Sequence, residues 1–537
     1  MLYFGGIDTI ADIILNGEII GHTENMLIPH EIPAKGLRET GNELIVHIYP
    51  TVIMAREAGG AAHDQTQKYN EDTLSIRKPG SMFSWDIMPR IVSGGLWKPV
   101  ELKKKAADRL EEVFLWTTRL NSDGSAELDG YIRFHADDDF LDDYLVVIEG
   151  SYGDSSFKKE LKPFTVNLHT KLKVVDAKLW WPRNAGEQNL YDLTVSLYKN
   201  GVLCDGKKQR LGIRTSCTDE NGSGEFVFRI NGRKIFCLGT NWVPLDAFPS
   251  RHIDYLPRAL ALLDDIGCNM VRCWGGNVYE NDEFYDFCDE HGVMIWQDFS
   301  MACGFYPQDE SFQKKLAVEA EAVVKRLREH ASLVLWSGDN ECDSCGLGDR
   351  PDMDPNDNVL TRKVLPDVLR QHDFSRPYLP SSPYMDEEAF RTGGKPSEDH
   401  LWGPRDYFKG DFYKGSVCHF ASETGYHGCP SPESLKRFIP EENLWHGGNM
   451  KPDGTPDEAW LVHAASMELD PTAPYAYRIK LMNDQVVTLF GTLPEDLDTY
   501  ARMSQISQVE AKKYFIERFR LSKWRRTGIL WWNLIDG

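Results

Sequence analysis

Hydrophobic and polar positions alternate through the first 200 residues of the chain, which is the pattern of half-buried β-strands. Short β-prone segments separated by turn residues lie at 9–15, 18–21, 43–49 and 94–102, and Asn16-Gly17 is a β-hairpin signal. Similar segments follow at 110–118, 126–134, 144–149 and 190–198. The pattern predicts a jelly-roll-like β-sandwich in residues 1–105 and an immunoglobulin-like β-sandwich in residues 106–215.

After Asn231-Gly232 the pattern changes to short apolar runs that alternate with amphipathic helical stretches. Helices are predicted at 254–266, 282–291, 311–330, 359–371 and 497–519. Strands are predicted at 235–239, 269–274, 293–299, 378–382, 400–402 and 528–533, and in the two runs that end at Glu341 and Glu423. Eight strands of this kind predict a (β/α)8 TIM barrel over residues 216–537, with residues 440–480 as an insertion or lid. The fold class is therefore multidomain.

Two carboxylates are predicted at the carboxyl ends of barrel strands, where barrel enzymes have their active sites. The apolar run that begins at residue 333 delivers Asn340 and Glu341 to the carboxyl end of one predicted strand, and a second run delivers Glu423. Retaining glycoside hydrolysis needs two carboxyl groups that flank one anomeric carbon. A single glutamate at a strand end could equally bond a loop amide. The hypothesis of a glycoside hydrolase therefore depends on the presence of two such glutamates, Glu341 and Glu423.

The composition of the chain limits the classes of binding partner. The chain of 537 residues has a formal net charge of −22, which argues against nucleic acid and anionic membranes as partners. No apolar run approaches the ~20 residues that span a bilayer. The fifteen tryptophans fit a carbohydrate enzyme, because aromatic faces stack on sugar rings, although core packing also uses tryptophan.

Five local motifs occur in sequence order at residues 83–90 (Phe-Ser-Trp-Asp-Ile-Met-Pro-Arg), 239–244 (Gly-Thr-Asn-Trp-Val-Pro), 271–276 (Val-Arg-Cys-Trp-Gly-Gly), 336–341 (Trp-Ser-Gly-Asp-Asn-Glu) and 422–425 (Ser-Glu-Thr-Gly). These motifs and their order resemble those of glycoside hydrolase family 2, and most of all its β-mannosidase branch. The order of the predicted domains, β-sandwich, immunoglobulin-like domain and barrel, is similar to the family's as well.

The resemblance implies a role for each candidate site residue. Glu341 would be the general acid/base and Glu423 the nucleophile, with Arg272 orienting the nucleophile and Asn340 bonding the sugar 2-hydroxyl. The terminal sugar would lie against three tryptophans and an aspartate from the first domain, namely Trp274, Trp402, Trp532 and Asp86. Arg272 could instead be a structural ion-pair partner, the tryptophans could be packing residues, and Asp86 could hold the domain interface.

Two positions depart from the pattern of the mannosidase branch. Asp339 stands where Asn is usual and Thr424 where an aromatic residue is usual. The resemblance therefore predicts the type of reaction more firmly than the identity of the sugar. The family's first sandwich begins before the position of Met1, and its C-terminal β-domains have no counterpart. We therefore expect a first domain that is incomplete and a chain that is a fragment, and the compartment and oligomeric state stay open.

The sequence as a whole predicts a retaining exo-β-glycosidase, with β-mannosidase as the first choice, that acts on oligosaccharides or glycan ends. The alternatives are another specificity of the family (β-galactosidase, β-glucuronidase or exo-β-glucosaminidase) and a non-catalytic carbohydrate-binding protein. No organic cofactor is implied, and no metal-ligand pattern is evident around the predicted acid/base.

Overall fold

The computed structural model describes residues 1–58, 63–64, 74–218, 225–344, 354–394, 396–445, 448–464, 469–472 and 475–535. The first domain is a β-sandwich, as predicted. One antiparallel sheet has the order His30–Ile32, Leu2–Phe4, Val100–Leu102, a second has the order Glu18–Thr23, Ala11–Leu15, Leu44–Ile48, and a short pair joins Ile7–Asp8 to Gly95–Leu96. Side chains alternate along Ala11–Leu15, and residues 11, 13 and 15 face the core. Helix Thr51–Ala58 and the 3₁₀ turn Gly80–Phe83 lead towards the barrel.

The second domain has the two packed antiparallel sheets of an immunoglobulin-like sandwich. The three-stranded sheet contains Arg109–Leu120, Ala126–His135 and Asn167–Val174, and the four-stranded sheet contains Ser155–Leu161, Tyr144–Tyr152, Tyr191–Lys199 and Val202–Leu211. Inward-facing apolar side chains of both sheets form one core. All four predicted segments are strands. The domain boundaries at 105 and 215 stay predictions.

The third domain contains eight parallel strands in the order in which they were predicted. A small antiparallel sheet precedes it (Ser216–Thr218, Phe228–Ile230, Arg233–Ile235). The barrel strands are Cys237–Trp242, Met270–Cys273, Met294–Asp298, Leu333–Ser337, Tyr378–Leu379, Glu398–Leu401, Phe420–Thr424 and Gly528–Trp531. The eighth strand pairs with both the first and the seventh, so the sheet curls round on itself.

The fifth and sixth barrel strands are joined by side chains. Within the described residues no backbone pairing links them, but the Ser382 hydroxyl donates to Glu398 Oε1 (2.9 Å) and lies 3.1 Å from His400 Nε2. The barrel is therefore closed on this side through polar contacts, immediately below the predicted site.

Helices surround the strands, and the predicted ones are present with shifts of a few residues at their ends. The longer helices are His252–Asp265, Asp282–His291, Glu310–Leu327, Leu365–His372 (preceded by a π-turn, Leu360–Val364), Arg478–Phe490 and Leu497–Leu521. Shorter helices are Glu387–Thr392, Asp411–Gly415, Pro432–Leu435, Glu441–Leu444 and Glu458–Leu461. The described part of 440–480 packs with helix Leu497–Leu521 in a separate apolar cluster. No described helix combines the length and the apolar character that crossing a bilayer requires.

A buried ion pair joins the first sandwich to the barrel. Arg77 donates to both carboxylate oxygens of Glu319 at 2.7 Å, and neither side chain is more than 1% exposed. Glu319 also accepts from Asn25 and Tyr279 at 2.8 Å each. Because these donors come from both domains, the first sandwich is held rigidly against the outside of the barrel.

Candidate active site

The fourth barrel strand ends in a tight bend that turns Glu341 into the barrel mouth. At Gly338 a Cβ atom would lie 2.1 Å from the Pro380 carbonyl oxygen, so only glycine fits. Three residues later Glu341 has a positive φ of 59°. Glu423, by contrast, lies inside the regular seventh strand. The two glutamates therefore reach the same mouth on differently shaped backbones.

Glu423 is held by three groups. Arg272 Nη1 donates to Oε1 (2.6 Å), Trp402 Nε1 donates to Oε2 (3.0 Å), and His400 Nδ1 lies 3.4 Å from Oε2. Its side chain is 4% exposed. Burial is the largest influence and raises the pKa of Glu423, as does the nearby Glu341, while His400 and Arg272 act in the opposite direction. The effect of burial on this pKa therefore outweighs that of the guanidinium.

Glu341 has fewer partners and more access to solvent. His400 Nδ1 lies 2.5 Å from Oε1, the Cys303 thiol donates to Oε2 (3.3 Å), and the side chain is 25% exposed. Burial raises the pKa of Glu341, Asp86 adds to the rise, and Cys303 and Arg272 oppose it. The raised pKa suits a group that must carry a proton near neutral pH.

One imidazole nitrogen stands between the two carboxylates. The facing ligand atoms of Glu341, His400 and Glu423 all lie within 4.8 Å of one another. Such a set could hold a divalent ion, although sequence analysis saw no metal pattern here. Burial lowers the pKa of His400 to about 3, so the ring is neutral at ordinary pH. On the far side of the ring lies the buried Glu398, whose pKa burial raises to about 8.

Arg272 organises the centre of the barrel. It is fully buried and donates to Glu423, to Asp298 Oδ2 (2.7 Å), to Asn340 Oδ1 (2.7 Å) and to Asn241 Oδ1 (3.0 Å). Its planar fork thus fixes Glu423 and Asn340 relative to each other. The Asn340 amide nitrogen contacts only the weak acceptor Cys303 Sγ (3.4 Å) among its described neighbours.

The three predicted tryptophans lie next to one another. Trp532 makes edge-on contacts with Trp274 (5.4 Å between ring centroids) and with Trp402 (6.3 Å). Trp85 of the first domain packs against Trp274 at 5.0 Å. The buried Trp274 indole nitrogen has no hydrogen-bond partner among the described residues. The result is an aromatic wall beside Glu423.

A cavity of about 620 Å³ opens behind this wall. Asp86 of the first domain reaches it and accepts a hydrogen bond from Arg478 Nη2 (2.9 Å), so its carboxylate is already engaged by the helix at Arg478–Phe490. Residues of the aromatic wall, of the segment after the seventh strand, of the eighth strand and of two further helices complete the lining, among them Trp402, Trp532, Arg405, Gly425, His427, Arg258 and Lys512.

Sequence reasoning missed three residues of this site. His400 and Cys303 contact the acid/base candidate, and Arg478 binds Asp86. His400 could have been found, because it lies two residues before Trp402 in the strand predicted at 400–402, and period-2 alternation would put both side chains on one face. Cys303 follows the third strand in an irregular loop, and Arg478 lies 392 residues from Asp86, so neither has a local signal.

A barrel with two adjacent carboxylates at its mouth, preceded by a β-sandwich and an immunoglobulin-like domain, is the architecture of a glycoside hydrolase. Three family models match in the same order: the glycosyl hydrolase 2 galactose-binding domain-like model over residues 1–98, glycosyl hydrolases family 2 over 109–214, and the family 2 TIM barrel domain over 224–379. The chain belongs to glycoside hydrolase family 2, in its β-mannosidase branch.

Several relatives carry the name β-mannosidase. The goat (Capra hircus) protein is 29% identical over 100% of this chain and 64% of its own length, and β-mannosidase B of Emericella nidulans is 30% identical over 82% of this chain and 55% of its own. The crystal structure of a β-D-mannosidase from Dictyoglomus thermophilum superposes with a TM-score of 0.84 at 30% identity, covering 100% of this chain and 65% of that one. The chain thus spans about three fifths of the length of these relatives.

Proposed function

We propose that this chain carries the catalytic machinery of a retaining exo-β-glycosidase whose substrate is a terminal β-mannoside of an oligosaccharide or glycan. The observation that carries the proposal is the pair Glu341 and Glu423, with carboxylate oxygens no more than 4.8 Å apart and Arg272 on only one of them. Retaining enzymes have carboxyl groups about 5 Å apart, whereas inverting enzymes leave room for a water molecule.

In the proposed first step, Glu423 Oε attacks the anomeric carbon while Glu341 protonates the departing glycosidic oxygen. The C–O bond of the glycoside breaks, and a glycosyl ester of Glu423 forms. In the second step, Glu341, now a carboxylate, takes a proton from water, whose oxygen displaces Glu423 and releases the sugar. Asn340 would bond the 2-hydroxyl, and Arg272 would keep Glu423 aligned throughout.

The contacts of the two glutamates support this division of roles. Esterification would remove the charge of Glu423, so Glu341 could ionise without a like-charged neighbour and act as the base of the second step. His400 is neutral and touches both carboxylates, so it would position them without adding charge. We assign Trp274, Trp402, Trp532 and Asp86 to the walls of the substrate subsite.

The mannoside assignment rests on the relatives' names, and the two departures from their pattern do not oppose it. Asp339 is fully buried and accepts hydrogen bonds from the Ser381 hydroxyl (2.5 Å) and the Cys342 amide (3.1 Å). Thr424 is 1% exposed, and its hydroxyl donates to the Leu401 carbonyl (3.3 Å). Neither side chain would touch a sugar between the glutamates.

Two measurements test the proposal. A panel of 4-nitrophenyl β-glycosides should give the highest kcat/KM for the mannoside; a preference for galactoside, glucuronide or glucosaminide would reassign the sugar and leave the mechanism. A 2-fluoro-mannosyl fluoride should then trap the ester on Glu423, seen by peptide mass spectrometry. If no sugar of the panel is hydrolysed and no fluoride labels Glu423, the carbohydrate-binding alternative takes its place.

A further inference from the structure

The cavity behind the aromatic wall is basic, against the charge of the molecule as a whole. The chain has 82 acidic and 60 Lys and Arg residues, yet the cavity lining has four cationic side chains and a single carboxylate, Asp86. The cationic residues are Arg258, Arg405, Arg478 and Lys512. An excess of positive charge at this place needs an explanation, because the net charge of the chain is −22.

Three side-chain nitrogens around the cavity are buried and lack partners. Arg405 Nε, Arg478 Nε and His427 Nδ1 have no hydrogen-bond partner within the described part of the chain. All three residues line the cavity. Buried donors are normally satisfied, so several of them around one cavity indicate a ligand that accepts hydrogen bonds.

The surroundings of Arg405 favour an anionic ligand over a neutral one. Its Nη2 donates to the Tyr477 hydroxyl (2.6 Å) and its guanidinium lies 5.3 Å from the centre of the Trp402 ring, but no described carboxylate lies within ion-pairing distance. Arg478 is paired with Asp86. Burial and the neighbouring charge of Arg478 both lower the pKa of Arg405, so the two guanidinium groups repel each other. A neutral hydroxyl would satisfy the donors and leave that repulsion; an anion would remove both costs.

We propose that Arg405, Arg478 and His427 bind a negatively charged group of the substrate, so that the glycan cleaved here is an acidic one. The group is a carboxylate, a sulfate or a phosphate, planar or tetrahedral oxyanions that accept from guanidinium forks. The inference rests on the proposed glycosidase function, because the anion is carried by the molecule whose bond lies between Glu341 and Glu423. It adds a substrate class that a β-mannosidase assignment alone does not contain.

The anion can sit on the terminal sugar or on the leaving group, and two experimental arms separate these sources. In the first, calorimetry compares binding of D-mannose with that of D-mannuronate and mannose 6-sulfate. In the second, kcat/KM is compared for 4-nitrophenyl β-mannoside and for an analogue that carries a carboxylate on the nitrophenyl ring of the leaving group. One arm should favour the acidic compound about tenfold or more at low salt, as charge-assisted hydrogen bonds allow, and added NaCl should reduce the preference.

Variants tie that preference to the cavity. Arg405→Gln should reduce the ratio of acidic to neutral compound to less than about threefold, and Arg405→Lys, which keeps the charge but loses the Nε–H, should give an intermediate ratio. Arg391→Gln removes the same charge from an exposed helix outside the cavity and should leave the ratio unchanged. If Arg405→Gln does not fold, the lysine variant and the salt dependence of the unaltered chain decide.

Equal affinity for acidic and neutral sugars together with equal kcat/KM for the two glycosides would overturn the inference. A preference for the acidic compound that persists in Arg405→Gln would do the same. The outcome for the glycosidase function is read separately. Hydrolysis of the neutral mannoside without any acidic preference rejects the anion site and keeps the glycosidase. Preferential binding of an acidic sugar without hydrolysis of any glycoside keeps the site and rejects the glycosidase.

Discussion

The ends of the fourth and seventh barrel strands carry the same residue in opposite surroundings. Glu423 sits within a regular strand, is 4% exposed and is held by a guanidinium, an indole and an imidazole. Glu341 follows a bend, is 25% exposed and has an imidazole and a weakly donating thiol. A nucleophile needs one fixed trajectory, whereas an acid/base must meet a leaving group and then a water molecule. The more tightly held carboxylate, Glu423, therefore suits the role with one reaction partner, and the less tightly held Glu341 suits the role with two.

The largest effect is expected at the rigid site. Glu423→Ala should lower kcat/KM by about 10⁴-fold or more on every glycoside, because no other group can form the ester. Equal loss on an activated dinitrophenyl glycoside and on an oligosaccharide is the signature of a missing nucleophile. Activity that depended on the leaving group in this variant would contradict the assignment.

At the exposed site the loss should depend on the substrate. Glu341→Ala removes proton donation, which contributes roughly 10²–10⁴-fold for an alkoxide leaving group and little for a dinitrophenolate that needs no proton. Slow turnover of the dinitrophenyl glycoside should remain, and azide, an anion that needs no general base, should accelerate it. Losses of similar size on both substrate classes would mean that Glu341 is not the acid.

The shared imidazole should have an intermediate effect. His400→Gln breaks the contact to both carboxylates and should lower kcat by up to about 10²-fold through misplacement of the reacting groups, with little change in KM. His419→Gln, the same replacement at the opposite end of the seventh strand, is the control and should behave like the parent chain. A purely structural role for His400 would instead appear as a lower Tm with unchanged kcat.

The smallest effect is expected at Cys303. Its thiol donates to Glu341 and thereby lowers the pKa of that carboxyl, so Cys303→Ala should raise this pKa. The alkaline limb of kcat/KM, which reports deprotonation of the acid, should then move to higher pH by less than about one unit. Cys429→Ala, a buried thiol elsewhere, should leave the profile in place. A shift to lower pH would contradict the hydrogen bond.

The elements that periodicity specifies were predictable, and the contacts that long-range folding creates were not. All eight barrel strands were predicted, because most of them are short apolar runs next to a helical repeat, and Glu341 and Glu423 follow from their position at strand ends. Strands Ser155–Leu161 and Asn167–Val174 were not predicted. The pairing of Asp86 with Arg478 depends on how two domains and a helix pack, for which the local sequence carries no signal.

The buried pair of Arg77 and Glu319 bears on how such a chain can be divided or recombined. Glu319 lies on a barrel helix, yet among the described residues its cationic partner comes from the first sandwich. A foreign sandwich without that arginine would still cover Glu319 and would leave a buried carboxylate without its counter-ion, a loss that typically costs about 3–5 kcal/mol. Exchange of domains between homologous chains should therefore succeed only when the arginine travels with its glutamate.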